Sequence, residues 1–213
     1  MRKLPWFCRL DVRHYFESIR HETLLGVLLP MFREREVRDL AEAIIRAPYE
    51  GQESGRGMPI GNLTSQWFAN LYLDGFDHFV KESLRLPGYV RYMDDMLLFA
   101  QSKAECWESY AAAREWLSDC RGLALKEGAT CVGPVEAGVD VLGLRIFPWH
   151  WKFVRKRFLR CRRRLALRMR EFTRGEISVS KLAECARSSE ASCRAFGFKG
   201  VLRDVGPAEA NGA

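Results

Sequence analysis

Tyr92-Met93-Asp94-Asp95 sets two carboxylates side by side between two apolar runs, Tyr89 to Tyr92 and Met96 to Phe99. Each charge raises the proton affinity of the other, so adjacent acids between hydrophobic strands are unfavourable unless a cation is shared. A divalent ion resolves the conflict, because magnesium takes hard oxygen ligands: one or two carboxylates, with water and substrate phosphates completing the shell. The alternative is an ordinary acidic turn behind a chance tyrosine. Y-x-D-D arises by chance about once in a hundred chains of this composition. A further acid, Asp11, ends the apolar run that begins at Trp6. It reads either as the N-cap of a following helix or, if its strand pairs beside the hairpin, as a third carboxylate for two ions about 4 Å apart. Phe16, just beyond it, is either helix core or a neighbour of that site.

Those acids need a scaffold. A strand is expected from Trp6 to Val12, followed by a helix in which Phe16, Ile19, Leu24, Leu25, Leu28 and Leu29 recur at helical spacing until Pro30. A second amphipathic stretch runs from Arg33 to Arg46, and the loop GQESGRGMPIGN opens a long helix over Thr64 to Leu84. Leu86-Pro87-Gly88 breaks that helix ahead of the hairpin carrying the acids. A helix over Lys103 to Cys120 then leads to short strands near Leu123 to Lys126, Ala129 to Val132 and Val141 to Phe147. This order predicts an α+β fold, with helices on one face of an antiparallel sheet.

With 47% hydrophobic and 29% charged residues in 213, the chain is that of a folded globule, not a disordered or low-complexity one. Seven cysteines without a C-x-x-C pair read as reduced thiols of a cytoplasmic protein. No apolar run approaches the roughly 18 residues of a membrane helix, and the opening MRKLPWFCRLDV lacks the pattern of a signal peptide. The net charge of +7 is unevenly spread: Lys152 to Arg174 holds eleven basic residues and one acid, leaving −3 on the other 190 residues. Such a segment is either a polyanion contact or a solvated helix face.

Four ordered motifs resemble those of a reverse transcriptase of the bacterial retroelement type, running from about Leu10 to about Arg170. LDVRHYFESIRHETLL is similar to the first palm motif, GMPIGNLTSQWFANLYLDGFDHFV to the second, YVRYMDDMLLFA to the catalytic hairpin, and VLGLRIFP to the primer grip. Ile60, Gly61, Ser65 and Gln66 form I-G-x-x-x-S-Q where most members carry Q-G-x-x-x-S-P. That variant resembles the enzymes of diversity-generating retroelements, which copy a template-repeat RNA with errors at adenines; a retron or group II intron-like reverse transcriptase, differing mainly in template, is the alternative.

The resemblance implies a polymerase palm with residual fingers elements over 1–150, a basic partial helical thumb over 151–205 and a disordered tail over 206–213. It implies two magnesium ions, or manganese in their place, on Asp11 and Asp94 with Asp95 as auxiliary ligand. Phe16 would exclude ribonucleotides, and the backbone amides of His14 and Tyr15 would touch the triphosphate near Ile60, Gly61 and Gln66. Lys126 corresponds roughly to a lysine that protonates departing pyrophosphate; a solvated strand-end lysine is the alternative. Tyr92, Met93 and Gly143 would meet the primer end, while Arg155, Arg160 and Arg163 would grip the template-primer backbone. Trp149 and Trp151 read either as base-stacking platforms or as hydrophobic anchors. The expected partners are template RNA, primer or cDNA, deoxynucleoside triphosphates and an accessory variability protein, with no membrane. Family members carry a fingers region ahead of the first motif, and here Asp11 stands close to Met1. The expectation is therefore a fragment, or a remnant that needs a partner.

Overall fold

The computed structural model describes residues 4–49, 51–126, 128, 130–153 and 155–194. They group into two compact units, Met1–Gly138 and Val139–Ala213.

In the first unit, β1 (Trp6–Asp11) is followed by α1 (Tyr15–Ser18), α2 (His21–Leu28) and α3 (Arg35–Arg46). Next come α4 (Leu63–Tyr72), α5 (Asp74–His78) and a π-helical turn over Phe79–Ser83. Strands β2 (Gly88–Tyr92) and β3 (Asp95–Ala100), helix α6 (Lys103–Arg121) and strand β4 (Cys131–Pro134) complete it. The sheet order is β2-β3-β1-β4, every pair antiparallel.

Side chains alternate across a strand, and β1 and β3 use the alternation to separate two functions. Cys8, Leu10, Met96, Leu98 and Ala100 face the core with Leu24 of α2, Ile45 of α3, Tyr72 of α4, Phe76 of α5 and Leu117 of α6. Each large side chain buried there stabilises the fold by about 1.5–3 kcal/mol. The other register pairs Phe7 with Phe99, Arg9 with Leu97 and Asp11 with Asp95, so an apolar end grades into a charged one on the opposite face.

The helical stretch expected from Phe16 to Leu29 is two helices. Ile19 turns extended, at φ −63° and ψ 116°. Its carbonyl accepts from Gly57 N at 2.8 Å, and His21 N donates to Gly55 O at 3.0 Å. The glycine-rich loop thus pairs with the chain where an uninterrupted helix would have closed its own bonds. The helix expected over Thr64 to Leu84 is jointed at Leu73. Leu123 to Lys126 forms no strand; only Leu125 makes a bridge, to Val12.

The second unit holds β5 (Val139–Val141), β6 (Leu144–Ile146) and β7 (Trp151–Phe153) in an antiparallel sheet of that order, with α7 (Arg155–Thr173) and α8 (Val179–Arg194). The strand expected over Val141 to Phe147 is cut by Leu142 and Gly143, both at positive φ. Trp151–Phe153 is a strand, because Phe147 N donates to His150 O at 2.8 Å and folds the chain back, and the basic helix begins at Arg155. Helix α7 packs on α8, with Leu165 buried. The expected tail at 206–213, and the thumb beyond 194, lie outside the described residues. Among the described residues no helix is long and apolar enough to cross a membrane.

Candidate active site

β2 ends at Tyr92 and β3 starts at Asp95, so Met93 and Asp94 make a two-residue hairpin loop. Met93 sits at φ +56° while Asp94 does not share that sign, the pattern of a type II′ turn. A side chain pays a strain cost there that glycine would not. Tyr92 pairs with Asp95 across the turn, and Asp95 pairs with Asp11 on its other side. The three aspartates therefore meet at one end of the sheet, on strands far apart in sequence. The helix-cap alternative for Asp11 fails, since the residue capping α1 is His14, in the left-handed region at φ 46°.

Like charges directly opposite across a ladder are destabilising, and two cations answer them. Arg9 precedes Asp11 by one pleat on the same face, and its Nη2 donates to Asp95 Oδ1 at 2.7 Å. Lys126 Nζ lies 4.0 Å from Asp11 Oδ2, while its backbone N donates to Asp11 O at 2.8 Å. Asp94 has neither partner. Burial raises its pKa above the ordinary carboxylate value; a bond from its own backbone N–H opposes this, Asp11 and Asp95 push it further up, and Lys126 pulls it down.

Magnesium fits part of this arrangement. Among the described residues no three His, Cys, Asp or Glu side chains converge as a finished metal cluster. Of the two carboxylate oxygens of Asp95, Oδ1 is the one that accepts from Arg9. Asp11 and Asp94 stand with it at that corner, and at half-buried Asp94 burial and the neighbouring acids outweigh the pull of Lys126. One or two carboxylates are what magnesium takes from protein when phosphates and water supply the rest.

Of the nucleotide-pocket candidates, Tyr15 and Phe16 are tied to α4 and to the segment that leads into it. Tyr15 is buried and its hydroxyl donates to Ala69 O. Phe16 is partly buried against the core, meets the Tyr15 ring edge-on at 5.8 Å, and its carbonyl accepts from Met58 N at 3.0 Å. Gly57 is a required glycine: at φ +88°, an added Cβ would stand 2.3 Å from Tyr49 Oη. Ile60 is 76% exposed, and Gly61 and Gln66 are exposed at the start of α4. Tyr92 is likewise exposed, and Met93 is half-buried.

In the second unit, Gly143 forms the β5–β6 turn at φ +84°, and Arg163 is exposed on α7. Arg155 and Arg160 belong to α7, but their side chains lie outside what the structure describes. Trp149 and Trp151 are 75% and 49% exposed, which does not suit buried anchors.

Arg9 and Arg91 were not expected at the site. Arg9 is signalled only by standing two residues before Asp11 on a strand. Arg91 has no such pattern, because its partners come from α4 and α5.

The family described as reverse transcriptase (RNA-dependent DNA polymerase) matches residues 1–146. A yeast protein of Saccharomyces cerevisiae, the COX1/OXI3 intron 2 protein, is 27% identical over 86 residues, covering 38% of this chain and 10% of that protein. The group II intron-encoded protein LtrA of Lactococcus lactis is 29% identical over 79 residues, covering 35% of this chain and 13% of LtrA. The matches thus span a small part of these relatives' length. Among solved structures, apo telomerase from Candida tropicalis has the same fold at a TM-score of 0.58 with 13% identity, covering 93% of this chain and 45% of that one.

Proposed function

The chain belongs to the reverse transcriptase family, and on that premise we propose that it is the palm-containing part of an RNA-directed DNA polymerase. The observation that carries this reading is the register of Asp11 against Asp95, which brings the first-strand carboxylate to the corner holding Asp94. Asp11 and Asp94 would hold magnesium, or manganese as the alternative, with Asp95 as auxiliary ligand. Two such ions supply activation of the primer 3′-hydroxyl and neutralisation of the triphosphate and its leaving pyrophosphate. Arg9 keeps Asp95 paired and so balances the charge of the acidic corner. Lys126, 60% exposed beside Asp11, would give a proton or a charge-assisted bond to a departing phosphate.

Phe16 and the loop around Met58 would form the wall against the sugar of the incoming deoxynucleoside triphosphate. The amides of His14 and Tyr15, with Ile60, Gly61 and Gln66, would surround its triphosphate and base. Tyr92, Met93 and Gly143 would meet the primer end. Arg155, Arg160 and Arg163 would contact the template-primer backbone through charge.

The residues 1–150 would then be palm with residual fingers, and 151–205 a partial thumb. Ile60 in place of an amide supports an error-prone enzyme of the diversity-generating type, copying a template-repeat RNA with an accessory variability protein. The similarity to LtrA favours, as a second reading, a group II intron-like template. Reduced cysteines, free at Cys8, Cys106, Cys120, Cys131 and Cys185, suit the cytoplasm.

The test is primer extension on an RNA template with and without magnesium. Extension by the full chain that is magnesium-dependent and lost in Asp94→Ala supports the polymerase reading. Binding of the template-primer without any extension would sink it in favour of an inactive nucleic-acid-binding remnant.

A further inference from the structure

Arg91 is 12% exposed in its side chain and directs its guanidinium at three separate elements. Nε donates to Asp77 Oδ1 of α5 at 2.7 Å, and Nη2 closes a bidentate pair with Asp77 Oδ2. Nη1 donates to Asn70 Oδ1 of α4 at 3.0 Å and to the Met93 carbonyl at 3.3 Å. Nη2 also reaches Asn70 O, at 3.4 Å. Tyr89, on the same strand and the same face, donates its hydroxyl to Asp77 Oδ1 at 2.6 Å.

Three features make this more than a stabilising ion pair. The Met93 carbonyl belongs to the residue at φ +56°, whose strained turn sets the direction of Asp94. A planar guanidinium bonded on both edges cannot rotate without losing several charge-assisted bonds together. And the helices it ties to the turn are continuous with the nucleotide-pocket candidates: α4 begins just after Gly61 and carries Gln66, and its Ala69 carbonyl takes the Tyr15 hydroxyl.

We propose that Arg91 is a positioning residue, which with Asp77 and Asn70 fixes the Met93–Asp94 turn to the α4–α5 segment and so sets Asp94 relative to Asp11. This rests on the polymerase reading for its functional consequence, although the geometric part does not need it. Without the bond to Met93 O the turn relaxes toward less strained backbone, and Asp94 no longer holds one direction. The pocket helix and the carboxylate corner then move independently.

The test uses the full chain and two variants. Arg91→Met combined with Asp77→Asn removes both charges together, so that no half-buried carboxylate is left unpaired. Asn70→Ala removes an exposed acceptor and leaves the Arg91–Asp77 pair, so it keeps the test valid should the first variant fold poorly. Amide hydrogen exchange without metal is the first measurement, and manganese affinity from the free-ion electron paramagnetic resonance signal is the second.

Exchange at Asp94 and Asp95 is expected to accelerate at least tenfold in the double variant and severalfold in Asn70→Ala. Leu10 and Leu98 should keep wild-type protection, and manganese affinity should fall at least threefold. Unchanged exchange at the corner in both variants overturns the proposal. So does an acceleration spread equally over β1 and β3, which is what a merely structural role would give. A wild-type chain that binds no manganese and extends no primer, but whose corner loosens in the variants, overturns the polymerase reading while supporting the positioning role.

Discussion

Arg9 Nη2 lies 2.7 Å from Asp95 Oδ1, so one of the two carboxylates facing each other across β1 and β3 already has its counter-charge. The three aspartates of the corner are therefore not equivalent. Asp11→Ala and Asp94→Ala should each lower the extension rate at least a thousandfold, whereas Asp95→Asn should lower it about tenfold, since an amide still accepts from Arg9. Single-turnover extension at saturating magnesium measures the difference. Equal losses for all three would make Asp95 a main metal ligand, not an auxiliary one.

Gly57→Ala should destabilise the first unit by about 2 kcal/mol, since it combines a positive φ with a Cβ driven against Tyr49 Oη. Gly55→Ala has a positive φ but open space around it, and should cost about 1 kcal/mol. Urea unfolding of both variants gives the comparison, and an inverted order would show that the Tyr49 ring moves aside freely.

Burial pushes the Cys8 thiol up to about 12, while Cys120 and Cys131 are exposed. At pH 8 a small alkylating reagent should modify Cys120 and Cys131 within minutes and leave Cys8 intact until the protein unfolds. The same shift has a stability consequence. The unfolded thiol loses its proton near 9.0 and the folded one near 12, so between those values the unfolded state binds fewer protons. Stability contributed by Cys8 is thus complete below pH 9 and declines as pH rises toward 12. Cys8→Ala, measured across that range, should flatten the decline.

Template-primer affinity should fall steeply with salt if α7 grips the backbone, and Arg163→Ala should reduce the slope of log K against log salt by about 0.9. A filter-binding series at several salt concentrations reads the slope directly. Weakened binding with an unchanged slope would mean that Arg163 does not neutralise a phosphate.

What local sequence determines was legible. The short apolar run of β1 and the turn at Met93–Asp94 depend on neighbours within a few residues, and both were placed within a residue or two. The joint at Ile19 was hidden because its cause is distant: Gly55 and Gly57 bond to either side of it, and His21 Nε2 meets Gly57 O at 2.8 Å. Helical spacing of Phe16, Ile19, Leu24 and Leu28 is equally served by one helix or two. The carboxylates were found because acids among apolar strands are conspicuous. Arg9 and Arg91 were passed over because arginines in a basic chain are not, and only pairing with Asp95 and Asp77 distinguishes them.

The order β2-β3-β1-β4 also bears on how the molecule is made. β1 is synthesised before both strands that flank it, and its partners are complete only at Ala100 and Pro134. At about 5–20 residues per second, its apolar side chains wait for many seconds on the ribosome without a sheet to join. Pairings of such long sequence separation are slow to form. Asp11 therefore gains its neighbours late, and no nascent chain shorter than the hairpin can assemble the acidic corner.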